Sequence, residues 1–204
     1  KSDDFSISTS YVSSNGNLSD PNEGGIGTNG ADFSATTQIA YAPENWGIAA
    51  AYTKASGDNG VGLYSGNGTP GAVAVSLSGV TNSYGLSAWW MPEESGFIPT
   101  ISAGFDYGIS DADADGKTEE VIGWMVGLNW KDAFMMGNKL GVGFGSYSSY
   151  ATSVKGQDWP DDENFAVEVY YDFRVTDNIM VTPAIFWVDD AYGQEQLPGQ
   201  NKFG

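Results

Sequence analysis

Three aspartates on alternate residues, Asp111, Asp113 and Asp115, run into Gly116, with Glu119 and Glu120 just beyond. Carboxylates spaced this way around a glycine turn are how hard oxygen-ligand loops hold calcium. The match is partial: the twelfth position of such a loop, where a closing glutamate belongs, is Ile122, and no helix pattern flanks the stretch. A candidate calcium loop of Asp111, Asp113, Asp115 and Glu119 thus stands beside a plainer alternative, an acidic loop tip kept in water. A second set of charges sits on strand-like runs: Asp106, Lys131, Glu168, Asp172 and Arg174. Charges of this kind along a channel wall tune ion selectivity. Asp106, Glu168 and Asp172 predict a mild cation preference, opposed locally by Arg174. The alternative is structural, with the charges pairing across neighbouring strands. Paired carboxylates are also the acid and base of glycosidases, but nothing here suggests a closed cleft that would perturb them.

Other chemistries are excluded by composition. The 204 residues contain no cysteine and no histidine. Disulfide frameworks, thiolate metal sites, zincin motifs and histidine-dependent triads are therefore absent, and the chain does not read as an enzyme. Any iron site would be built from carboxylates alone. The formal charge of −18, from 26 acidic and 8 basic residues, offers no basic patch for nucleic acid.

The elements that must position these residues are strands. In Asn164–Val188, Phe165, Val167, Val169, Tyr171, Phe173 and Val175 alternate with Ala166, Glu168, Tyr170, Asp172 and Arg174. One face is apolar and the other charged, over a run long enough for a tilted strand to cross a bilayer. The turn Thr176-Asp177-Asn178 leads into Ile179–Val188, where Pro183 removes a ladder donor and suggests a bulge. The same alternation recurs at 5–12, 31–41, 46–53, 84–90, 100–109, 122–131 and 140–150, giving about nine strands. Ala72–Leu77 has the composition of a short strand inside a long loop.

Connections alternate in length. Residues 43–45, 92–98, 132–138 and 176–178 are short; 13–30, 57–82, 110–119, 151–163 and 189–202 are long. Short turns at one end and long loops at the other are the mark of outer-membrane barrels, and a soluble sandwich has no reason to sort its loops by parity. Tyr11, Tyr41, Trp46, Trp90, Tyr107, Trp130, Tyr150 and Trp187 lie near strand ends, as interfacial aromatic girdles require. Mean hydropathy of −0.26 does not oppose a barrel, whose inward residues dilute the average. The expected fold is all-β, a transmembrane antiparallel up-and-down β-barrel, with residues 1–204 part of a single barrel domain. The opening KSDDFSIS reads as mid-protein, and Phe203-Gly204 as the start of one more strand.

WWMPEESGFIPTISAGFDYG (89–108), GWMVGLNWKDAFMMGNKLGVGFG (123–145), VTDNIMVTPAIFWV (175–188) and APENWGIAAAY (42–52) resemble the barrel of cyanobacterial outer-membrane porins. That family is related to the carbohydrate-selective porins and is often labelled iron uptake porin. The resemblance implies a homotrimer of sixteen-stranded barrels in the outer membrane. It also implies an N-terminal S-layer-homology domain gripping peptidoglycan or another wall polymer, and a constriction loop among strands that would precede this segment. The expected function is passive diffusion of small hydrophilic solutes and inorganic ions, iron among them, through a water-filled lumen that needs no cofactor. Three alternatives stay open: a carbohydrate-selective channel, a membrane-to-wall anchor with a plugged lumen, and a soluble sugar-binding sandwich. Whether loops 57–82 or 151–163 enter the lumen separates the channel from the anchor.

Overall fold

The computed structural model describes residues 4–28, 30–56, 63–64, 66–75, 79–94, 96–157, 162–191 and 193. Among them, eleven strands form one antiparallel sheet. β1 (Phe5–Ser13), β2 (Phe33–Tyr41), β3 (Trp46–Ala55), β4 (Thr81–Trp90), β5 (Thr100–Ser110) and β6 (Thr118–Lys131) pair in sequence order. β7 (Lys139–Gly145) pairs with the second half of β6, and β8 (Tyr150–Val154) with its first half. β9 (Phe165–Thr176) pairs with β7, and β10 (Ile179–Val181) and β11 (Ala184–Asp189) both pair with β9. Two segment pairs therefore share one partner strand each, and the wall has the nine passes that the alternation predicts. This is an up-and-down order in a single layer, not the two packed sheets of a sandwich. The sheet is not closed among the described residues.

Register explains why the alternation matters. Ile7 faces Ile39, Leu86 faces Phe105, Phe105 faces Trp124, Val126 faces Phe144, and Phe144 faces Val167. These strands thus add their apolar sets to one continuous face, and a slip of one residue would turn that set over; β10 and β11 also place Met180 and Phe186 on the other side, facing Arg174 and Glu168. This face is not buried: Ile7, Leu86 and Phe105 are 64%, 50% and 48% exposed. The fully buried apolar residues are few and small, among them Ala72, Val75 and Val121. A water-soluble domain places its large apolar side chains the other way round, so this sheet is organised for lipid.

Aromatic rows edge the apolar face. Near the long-loop end Tyr52, Tyr84 and Tyr107 follow one another across three strands, with ring centroids 5.3 and 6.5 Å apart. Near the short-turn end Trp46 faces Trp90, and Tyr41 meets Trp46 edge-on at 5.5 Å. Tyr84 and Trp90 are separated by about 20 Å along β4, the scale of a barrel's apolar band. Tyr150 departs from the expected girdle. It is only 7% exposed, in a strand folded under neighbouring loops.

Two irregularities interrupt the wall. Ile122 faces Tyr150 and Met125 faces Gly145, so four residues, 146–149, lie opposite two on β6. This bulge separates β7 from β8. A Cβ on Gly145 would collide with the Trp124 carbonyl, which explains the glycine at the corner. At Pro183 the expected bulge is absent. Val181 faces Phe173 and Ala184 faces Tyr170, so the register holds across the gap, and the slip lies at Ile179/Met180. The Tyr171 N–H still donates to the Pro183 carbonyl at 3.0 Å; only the bond needing a Pro183 N–H is lost.

Candidate functional site: a hollow beneath an infolded segment

The connection between β3 and β4 does not stay outside the sheet. Residues 66–75 fold onto its polar face, and part of the stretch expected as a strand forms a short helix, α1 (Pro70–Ala74). The local sequence explains this. Thr69 caps the helix by accepting the Ala72 N–H at 3.1 Å, and Pro70 sits in the first turn, where its missing N–H costs nothing. Ala72 and Val75 then pack on Val121, with Tyr64 at the edge of this small cluster.

Hydrogen bonds fix the segment from several sides. Thr69 Oγ1 donates to Asp162, and the same Asp162 oxygen accepts the Ala151 N–H at 2.8 Å. Thr69 N donates to the Ser149 carbonyl, and Ser149 N to the Asn67 carbonyl, at 2.8 and 2.9 Å. Thr118 Oγ1 reaches the Gly71 carbonyl at 2.9 Å, and Thr81 Oγ1 the Val75 carbonyl at 3.0 Å. Tyr64 lies over Gly108, where a Cβ would meet its ring, and its hydroxyl contacts Ser83 Oγ at 3.4 Å. Burial pushes the Tyr64 hydroxyl up to about 12, with the Asp106 charge acting in the same direction, so it remains a neutral donor.

Beneath the segment lies a hollow of about 430 Å³, with Gln38, Ser87, Asp106, Met125, Asn67 and Ser148 among the residues around it. Gly85 and Gly104 also line it, and their lack of side chains keeps it open. Asp106 accepts from Ser149 Oγ at 3.1 and 3.2 Å. A Cβ on the neighbouring Gly123 would collide with both side chains. Its lining is mostly apolar, with Ala49, Ala51 and Met125 among it, and the amide, hydroxyl and carboxylate groups set into that lining supply donors and acceptors that a hydroxylated solute can use.

The five charges singled out in the sequence fall on the polar face but are not one cluster. Asp106 borders the hollow. Lys131, Lys139 and Asp172 lie in one row near the short turns, facing one another in that order across β6, β7 and β9. Asp172 accepts from Thr182 Oγ1 at 2.8 Å. Arg174 pairs with Asp177 in its own turn at 3.1 Å. Glu168 is exposed, opposite Gly143 and Phe186. The calcium grouping does not form: no three acidic side chains come together with metal-holding geometry among the described residues. Asp111 accepts the Val80 N–H at 2.6 Å, and Glu119 accepts from Ser153 Oγ at 2.8 Å. Asp115 lies against Gly156, and Asp113 is exposed. Asp111, Asp115 and Glu119 thus lie against different neighbours. Asp162, Ser149 and the infolded segment escaped the sequence reading. The clue was Thr69-Pro70, a cap followed by a helix-starting proline.

Comparison with known proteins agrees with this architecture. Residues 2–200 match the carbohydrate-selective porin family, the OprB family, and the chain belongs to it. "Uncharacterized protein alr4550" of Nostoc sp. is 30% identical over 210 residues, covering 96% of this chain. The chain spans 33% of that relative's length.

Proposed function

We propose that this chain forms part of the wall of a single outer-membrane porin barrel through which small hydrophilic solutes, carbohydrates foremost, diffuse passively. The observation that carries this is the opposition of the two faces: an exposed apolar band on one, and on the other a pinned segment over a hollow that presents amide, hydroxyl and carboxylate groups. With the apolar face in lipid, the polar face lines a water-filled lumen, the long loops are external and the short turns periplasmic. Residues 66–75 then act as a constriction contributed by this chain. Selection is physical, by pore size and by exchange of solute–water hydrogen bonds for bonds to groups such as Gln38, Asn67, Ser87 and Asp106.

The family match supports sugars over iron. With carboxylates as the strongest available ligands, inorganic ions pass without tight binding. Cation preference at Asp106, a trimeric assembly, a cyanobacterial source and attachment to the cell wall through another domain are parts of the same proposal. The plugged anchor is disfavoured because the infolded segment leaves the hollow beneath it open. Liposome swelling tests the proposal. Vesicles bearing the intact protein are expected to admit monosaccharides and disaccharides at rates that fall steeply with solute size. Vesicles no more permeable to glucose than protein-free ones would reject it.

A further inference from the structure

Two of the chain's 8 basic residues stand directly opposite each other: Lys131 on β6 faces Lys139 on β7. Like charges in facing positions are destabilising. Their immediate neighbours Trp130 and Leu140 belong to the apolar face, so both lysines project to the polar side, away from lipid headgroups. Both are exposed, and neither is ion-paired with a carboxylate among the described residues. Lys131 Nζ instead donates to Met91 Sδ at 3.0 Å, a weak acceptor.

The nearby acids make their hydrogen bonds elsewhere, and none reaches ion-pair distance of either lysine among the described residues. Asp172, which faces Lys139, holds Thr182. Asp132 accepts the Gly137 N–H at 2.7 Å, and Asp177 holds Arg174. In a chain of net charge −18, this is a cationic rung without a close ion pair, bordered by Asp172 on the next strand.

We infer that Lys131 and Lys139 form an oxyanion station at the short-turn mouth of the lumen. Its ligand is a phosphate or carboxylate group, and in transit it receives the charged end of a sugar phosphate or sugar acid. Two ammonium groups on adjacent strands offer several donors and about two units of positive charge to one oxyanion, which relieves their mutual repulsion. This inference rests on the channel proposal above, because only an inward polar face makes the rung accessible to solutes.

Planar-bilayer recordings of the intact protein at low ionic strength test it, since screening hides such charges within about 10 Å at 0.1 M salt. Glucose 6-phosphate, inorganic phosphate and glucose are the probes; the first two share the oxyanion and the first and third share the sugar. Both phosphates are expected to block current more strongly from the short-turn side, and glucose is not. K131Q/K139Q should weaken the phosphate block by about tenfold and lower the chloride-to-potassium permeability ratio, while K131R/K139R keeps both. If the double glutamine variant fails to assemble, K139Q alone is read and should lose part of the block. An open channel whose phosphate block survives the glutamine substitutions would overturn the station alone. A silent bilayer would overturn the channel and the station together.

Discussion

The Thr69 hydroxyl donates to the Asp162 carboxylate across 93 residues of sequence. Both side chains are almost fully buried, at 1% exposure each. Through this bond and the Ala151 N–H on the same oxygen, Asp162 ties the start of α1 to β8. Two connections that alternate with strands on the same end of the wall are thereby joined above its polar face. The infolded segment is held by buried polar chemistry, with a core of only a few small apolar side chains beside it.

Asp162→Ala should therefore release residues 66–75 without dismantling the wall. A buried donor or acceptor left without its partner costs about 1–3 kcal/mol. The expected outcome is a higher and noisier single-channel conductance, with the heat-dependent gel shift of the folded barrel retained. Gly71→Ala should do the same by another route, because its Cβ would collide with Asp162 Oδ2. Unchanged conductance in both variants would show that the segment does not narrow the path.

Leu86 and Ser87 are neighbours on opposite faces of β4, with Leu86 facing Phe105 and Ser87 facing Gly104. Leu86→Arg should lower folding stability in lipid vesicles by about 2–4 kcal/mol, the cost of arginine in mid-membrane. Ser87→Arg should leave stability within about 1 kcal/mol and reduce sugar flux instead. Urea unfolding in vesicles reads the first effect and liposome swelling the second. The reverse pattern would mean that the faces have been assigned inside out.

Pro183→Val restores an N–H opposite Tyr171 without altering register, since the flanking pairs Val181–Phe173 and Ala184–Tyr170 are already aligned. A gain of about 0.5–1.5 kcal/mol in vesicle unfolding is expected. Loss of stability would show that the break in the ladder is needed by a neighbour of that strand.

Strands, their number and the split into an apolar and a polar face were legible because period-two alternation is imposed by the backbone. Phe105 and Asp106 fall on the faces their types predict. Loop structure was not legible. Whether Gly-rich residues 57–82 arch outward or fold inward depends on partners far away, such as Asp162 and Ser149. The helix at Pro70–Ala74 was misread because Ala-Val repeats fit either period over so short a span. The acidic run 111–119 carried a metal-like spacing, yet its side chains were recruited singly by Val80 and Ser153. Alternation placed Arg174 on the polar face but could not foresee its turn toward Asp177. The expected further strand at Phe203-Gly204 lies outside the described residues.

Single-channel conductance of the intact protein in a planar bilayer tests the central claim most directly. Discrete ohmic steps, reduced reversibly by added maltose and enlarged in Asp162→Ala, are predicted. Protein that is folded by the gel-shift criterion yet conducts nothing would contradict an open channel and favour the plugged anchor.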